Sequence, residues 1–289
     1  MKQPKILLVG ASGQLGTALL EELRLFSTVA GTYHHVEKQG LIHLDIQNQD
    51  QINRVISEVR PTIIINTAAM TPVDKCEELP ELAKSINVQG HFSLAAAAQK
   101  IGAKLVFIST YYVFDGTKGY YTEADFPHPL NTYAKTKLAG EQITMQAPGS
   151  LLVRTSKIYS LGYDQRNFLA RLITQFKGKE QIKITNDQYT NPISTEDAAT
   201  AIARLIATES SGIYHLGGPD NLSNYEFALA VAKEFGFDTQ LLKPLSTEQF
   251  GAAALRPKRC ALEIHKLIKR INFQPRSIEN NLSKWKPQI

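Results

Sequence analysis

Five short runs, 5–9, 28–33, 62–66, 104–110 and 151–155, are rich in leucine and β-branched residues and lack polar alternation. Runs of this kind suit parallel strands buried on both faces. Between them lie 14–25, 50–59, 80–100 and 133–146, each with apolar residues at helical spacing. Strand–helix alternation restricts the first half to an α/β architecture built on a doubly wound parallel sheet. Ligands of such sheets bind at the carboxyl ends of the strands. The functional residues are therefore sought where each strand stops.

The first strand runs directly into Gly10-Ala11-Ser12-Gly13-Gln14-Leu15-Gly16. Small residues in this position let the backbone approach a pyrophosphate. The helix that starts near Gln14 points its N-terminal N–H groups at the same anion. The stretch is read as a dinucleotide-binding loop, with Gly10, Ser12, Gly13, Gln14 and Leu15 as contacts. The second strand ends in Tyr33-His34-His35, with no carboxylate before Glu37. A site for NAD usually has Asp or Glu here, on the ribose 2′-hydroxyl. His34, His35 and Lys38 instead suit a 2′-phosphate, so NADP(H) is preferred and NAD(H) remains open. Asp45 and Ile46, after a short third strand, are placed to meet the adenine edge. Ala68 and Ala69 end the next strand, where small side chains let a cofactor lie across it.

The strand 104–110 closes on Ser109-Thr110, and Tyr133-Ala134-Lys135-Thr136-Lys137 follows on a helix. Tyr133 and Lys137 are four residues apart and share a helix face. A phenol titrates near pH 10 and is a poor acid or base at neutral pH. A neighbouring ammonium and a cationic nicotinamide are expected to favour the tyrosinate. In a reduction Tyr133 would give its proton to a carbonyl oxygen as hydride reaches the carbon. Thr110 would hold that oxygen, and Lys137 would bond the nicotinamide ribose.

Taken together, Gly10-x-x-Gly13-x-x-Gly16, the Thr110 strand end and Tyr133-x-x-x-Lys137 resemble the extended short-chain dehydrogenase/reductase superfamily. Within it, several stretches are similar to the dTDP-4-dehydrorhamnose reductase family. They are Ala68 to Asp74, Ser109-Thr110-Tyr111-Tyr112-Val113-Phe114-Asp115-Gly116, Thr136 to Glu141, Arg154-Thr155-Ser156, Tyr214 to Gly218 and Arg256-Pro257. The resemblance implies a Rossmann domain and a smaller α/β C-terminal substrate domain. It also implies reduction of a 4-keto-6-deoxy nucleotide sugar by NADPH or NADH. Its catalytic Thr, Tyr and Lys fall on Thr110, Tyr133 and Lys137, and its substrate-contacting Tyr on Tyr112. Thr71 and Arg256 complete the expected substrate contacts. Three positions depart from the family pattern: Tyr111 stands where Asp is usual, Lys157 where Trp is usual, and Asp187 to Pro192 lacks a usual Gly. The regulatory β subunit of methionine adenosyltransferase resembles the same branch, so a non-catalytic, NADP-binding regulatory subunit is the alternative.

On this reading residues 1–155 form the dinucleotide-binding domain, with 187–216 returning to it. Residues 156–186 and 217–289 form the substrate domain. Helices are expected over 161–177, 196–207 and 224–235, and strands over 181–185 and 212–216. In the helix 224–235, Tyr225, Phe227, Leu229 and Val231 read as core. His215 reads as a structural strand residue. Arg256 and Lys258 could meet a diphosphate, Arg being suited to its geometry. Asp74, Glu77 and Glu78 read as a solvated loop and helix start, with no metal site.

The bulk properties narrow the classes further. The formal net charge is +5, but Lys and Arg are scattered and not arranged in a stripe, so nucleic acid is not an expected partner. No apolar run reaches the roughly 18 residues of a membrane span. The apolar 6–9 segment is too short for a signal-peptide core and is followed at once by glycine, so a cytoplasmic setting is expected. Cys76 and Cys260 are too few for a disulfide framework. The expected small-molecule partner is a nucleotide sugar, and a homodimer is left open.

Overall fold

The computed structural model describes residues 3–162 and 167–288. Its central sheet contains β1 (Lys5–Val9), β2 (Thr28–Tyr33), β3 (Ile42–His43), β4 (Ile63–Asn66), β5 (Lys104–Thr110), β6 (Leu151–Thr155) and β7 (Gly212–Leu216). The strand order is β7-β6-β5-β4-β1-β2-β3, and every pairing is parallel. The order reverses beside β1, the switch point at which α/β sheets open a ligand crevice.

Both faces of the sheet are covered. On one, α1 (Gln14–Arg24) and α6 (Thr195–Ala207) pack on Ile6, Leu8, Val106 and Val153. On the other, α2 (Gln49–Val59) and α3 (His91–Ile101) cover Leu7, Val9, Ile64 and Leu105. This two-sided cover is why the strand sequences show no polar alternation. A separate core gathers α5 (Phe168–Lys177), α7 (Asn224–Phe235), the paired strands Ile182–Thr185 and Leu242–Leu245, and the helix Ile278–Trp285. Phe227 and Val231 are buried in it, and Tyr225 and Leu229 are packed at its margin. Cys76 and Cys260 are free and buried.

The expected helix over 80–100 is not one regular helix. Pro80–Lys84 is α-helical, Ser85–Gly90 is a π-turn, and α3 follows. The extra residue turns Asn87 inward. Its side chain accepts from Met70 N at 2.8 Å and donates to Met70 O at 3.1 Å and Thr136 Oγ1 at 3.0 Å. The expected helix over 161–177 is also shorter. Gly162 has φ +81°, which ends any helical path there, and α5 begins at Phe168 after the N-cap Asn167. Residues 163–166 of that expectation lie outside the described residues.

The helix α4 (Thr132–Met145) carries Tyr133 and Lys137 and is capped by Asn131, whose side chain accepts from Ala134 N. It lies against β5 at Gly140, where a Cβ would come within 2.6 Å of the Phe107 ring. Gly140→Ala should therefore lower stability by about 1–3 kcal/mol. Thermal denaturation would show a midpoint lower by several degrees and, if α4 is displaced, a matching loss of cofactor affinity.

Candidate active site

The glycine loop is shaped by contact as much as by conformation. Gly10 has φ +83°, and a Cβ there would come within 2.7 Å of Thr67 Oγ1 and 2.9 Å of Ala68 N. Gly16 sits so close to the loop that a Cβ would lie 2.2 Å from Gly10 O. The helix α1 starts at Gly13 without a side-chain cap and without an acidic residue in its first turn. By contrast, α2, α4, α5, α6 and α7 are all capped by Asn or Ser side chains. A helix N-terminus whose N-cap is a glycine without a side-chain cap, at a strand's carboxyl end and behind close-packed glycines, fits a dinucleotide pyrophosphate.

A cavity of about 860 Å³ opens beside this loop. Gly13, Gln14 and Leu15 line it from α1, and Ala69 and Thr71 from the segment after β4. Thr110, Tyr112, Tyr133, Lys137 and Arg256 line it as well. The structure thus brings the expected pyrophosphate loop, the hydroxyl–tyrosine–lysine trio and the expected substrate contacts onto one space. Gly10, Ser12 and Ala68 belong to the same loops but are not part of the cavity wall. His34, Asp45 and Ile46 also lie outside it, around the end of β2; the Ile46 side chain is buried against Gly90.

At the trio, Thr110 Oγ1 accepts from Tyr112 N at 3.2 Å, and the Tyr112 and Tyr133 rings meet edge to face at 5.7 Å. Lys137 Nζ donates to Ile108 O at 2.7 Å and lies 4.0 Å from the Phe107 ring centroid. An ammonium has three donors, so two remain for other partners. Burial pushes the Tyr133 phenol well above its usual range, and the nearby Thr110 side chain offsets this in part. Burial also pulls Lys137 down to about 7, against the opposing pull of Glu141. The expected pull toward the tyrosinate belongs to a site that also holds the cationic nicotinamide, whereas in the chain itself desolvation dominates and favours the protonated phenol. That is the form able to give a proton to a carbonyl oxygen.

Glu141 was not anticipated as part of the site. It lies one turn beyond Lys137 and is fully enclosed. Arg154 donates to it from Nε at 3.0 Å and from Nη2 at 2.7 Å, and Ser109 Oγ at 2.5 Å. His215, on β7, is structural as expected: its Nδ1 lies 3.0 Å from Tyr121 O and its Nε2 3.5 Å from Arg154. The spacing 133, 137, 141 on a single helix face was the available signal.

Other expected roles shift. Asp74 lies in the first turn of the helix Val73–Glu78, as expected, with its side chain 42% exposed, but it is also paired. Arg256 donates to both of its oxygens at 3.0 and 2.6 Å, which keeps its carboxyl below the usual range. Glu77 accepts from Thr132 N at 2.6 Å and Thr132 Oγ1 at 2.8 Å, anchoring the start of α4. Lys258 points away from the cavity to Glu248 at 2.6 Å and Asp187 at 3.4 Å, which makes it a surface ion-pair residue. Near β2, burial and His35 lower His34, so it is uncharged at neutral pH. Lys38 reaches Thr17 Oγ1 at 2.9 Å and brings a lysine to the first turns of α1.

A glycine loop, a doubly wound parallel sheet and a hydroxyl–tyrosine–lysine trio facing one cavity define an extended short-chain dehydrogenase/reductase. The family model of the RmlD substrate binding domain matches residues 4–287, and the chain belongs to that family. The spore coat polysaccharide biosynthesis protein SpsK of Bacillus subtilis is 34% identical over 277 residues, covering 94% of this chain and 93% of that protein. Methionine adenosyltransferase 2 subunit beta of Xenopus laevis is 32% identical, over 92% of this chain and 82% of that protein. Among solved structures, a dTDP-4-dehydrorhamnose reductase from Bacillus anthracis in complex with NADP superposes with a TM-score of 0.89 at 35% identity, covering 99% of this chain and 100% of that one. Among the described residues, no helix is long and apolar enough to cross a membrane.

The Glu141–Arg154 pair generates a stability prediction. Arg154→Met leaves a carboxylate enclosed beside β5 without its counter-charge. Removing one partner of a buried pair costs about 3–5 kcal/mol. Chemical denaturation should show a loss of that size, and a loss under about 1 kcal/mol would mean the pair is solvated.

Proposed function

We propose that this chain is an NADPH-dependent reductase of a 4-keto-6-deoxy nucleotide sugar, with Thr110, Tyr133 and Lys137 as its catalytic residues. The observation that carries the reading is the convergence of Thr110, Tyr133 and Lys137, the last one turn along α4 from the tyrosine, on the cavity that the glycine loop also lines. Gly10, Gly13 and the uncapped N-terminus of α1 would hold the cofactor diphosphate. Lys137 would reach the nicotinamide ribose with its free donors. Bound there, the reduced nicotinamide supplies a hydride. Thr110 orients the ketone oxygen, and Tyr133, kept protonated by burial, delivers its proton to that oxygen. Thr71, Tyr112 and Arg256 would line the sugar side. NADP(H) is the preferred cofactor and NAD(H) an accepted one. The NADP-bound relative at 35% identity supports this, as does Lys38 in place of a carboxylate near β2.

The likeness to methionine adenosyltransferase 2 subunit beta favours one second reading, a regulatory subunit that keeps the fold. The intact trio weighs for the enzyme, and Tyr133→Phe separates the two. Purified protein with NADPH and a dTDP-4-keto-6-deoxy sugar should consume NADPH. The Phe variant should lose about 10²–10⁴-fold in turnover, the usual contribution of a positioned acid, while binding NADPH as before. Absence of turnover by the unaltered protein with every nucleotide-linked ketosugar tried would sink the enzyme reading.

A pH dependence follows from Lys137. Its ammonium is half formed near 7, nearly complete about one pH unit lower, and lost as pH rises through that value. If the charge is needed to engage the cofactor, kcat/KM for NADPH should fall by up to about tenfold per pH unit above neutrality. A flat profile to about pH 9 would show that the charge at Lys137 is not required.

A further inference from the structure

Beyond the trio, the same cavity is lined by Lys157, Arg171 and Arg256. Arg256 is matched by Asp74. Among the described residues, no carboxylate pairs with Lys157 or Arg171. Their charges flank one ring, with Lys157 Nζ at 4.5 Å and Arg171 Cζ at 5.5 Å from the Phe168 centroid. Lys157 is held in place by donating to Asn224 Oδ1. The Asn224 amide is oriented in turn by Thr185 Oγ1 at 2.7 Å and Gln188 Oε1 at 3.2 Å. One donor of the ammonium is thereby used and two are left. Ser156, the residue before it, also lines the cavity; it is 3% exposed, and its buried hydroxyl has no hydrogen-bond partner among the described residues. Cations that share a partly dry cavity without a counter-charge repel one another, and an anion relieves the repulsion.

We propose that the Lys157–Arg171 corner holds an anionic group of the nucleotide-sugar ligand and makes Lys157 a specificity-determining residue. This rests on the reading above that the cavity takes a nucleotide sugar. The anion has two sources of the same chemistry: the diphosphate that links nucleoside to sugar, or a carboxylate on the sugar itself. A carboxylate would make the sugar a uronate in place of a 6-deoxy sugar.

Proton uptake gives the corner a signature. Burial, with Arg171 and Arg256, pulls Lys157 down to about 7. The charged groups lining the cavity around it are Asp74, Lys137, Arg171, Lys183 and Arg256. An arriving anion favours the ammonium, so binding takes up a proton above neutrality and weakens as pH rises.

Calorimetry on the full chain measures this, with Lys157→Met and Arg171→Met beside the unaltered protein. The probes are dTDP-glucose, thymidine, UDP-glucose and UDP-glucuronate; NADPH binding and circular dichroism report folding. If the corner holds the diphosphate, both variants bind dTDP-glucose roughly tenfold or more weakly, as for a lost charged hydrogen bond, while thymidine binds all three proteins alike. If it holds a carboxylate, the variants lose affinity of that order for UDP-glucuronate and not for UDP-glucose. In either case affinity for that probe declines from about pH 7 to about pH 9 in the unaltered protein and stays flat in Lys157→Met. Folded variants that bind every probe as tightly as the unaltered protein overturn the corner and leave the nucleotide-sugar reading standing. An unaltered protein that binds none of the sugar nucleotides overturns that reading itself.

Discussion

The contact between α4 and β5 at Gly140 is the constraint on which the site depends. It holds the helix down on Phe107, so Tyr133 and Lys137 project over the carboxyl end of the strand that supplies Thr110. A trio drawn from two elements is only as well positioned as their packing, and small displacements at a reacting centre cost large factors in rate. The surrounding structure reinforces the contact from three directions. Glu77 fixes the start of α4, Asn87 ties Thr136 to the segment after β4, and Glu141 joins the helix to Arg154 on β6. Each tie is polar and largely enclosed, and each fixes a direction as well as a distance.

Desolvation then sets the chemistry. The same burial that keeps the Tyr133 phenol protonated weakens the ammonium of Lys137. The two shifts have one cause and opposite chemical consequences, since burial disfavours whichever form is charged. A neutral phenol beside a hydroxyl suits proton delivery to a ketone. Glu141 draws Lys137 toward its charged form, and Arg154 occupies both Glu141 oxygens, which limits how strongly it does so.

Most of the fold is legible in the chain because the strands are short, apolar and buried on both faces, and because glycines mark where β1 ends. The trio is legible through spacing alone, as a strand-end hydroxyl and a tyrosine and lysine on one helix face. What stays hidden is pairing between distant segments. Asp74 meets Arg256 across 182 residues, and nothing local distinguishes that aspartate from a solvated one. The π-turn at Ser85–Gly90 is likewise invisible, because one inserted residue leaves the apolar spacing of 80–100 nearly unchanged. Gly162 did signal the late start of α5, but a glycine inside an apolar run reads equally as a tolerated helix position. The sign of the Tyr133 shift needed burial, which local spacing does not report.

The central claim is that one cavity delivers a hydride to a sugar ketone while α4 delivers the proton. The most direct measurement uses NADPH carrying deuterium at nicotinamide C4, with a dTDP-4-keto-6-deoxy sugar, and reads the product by mass spectrometry and NMR. The account predicts one deuterium per turnover, on the sugar carbon that was the ketone, from one face of the nicotinamide only. A reduced sugar without that label, or with the label at another carbon, would contradict it.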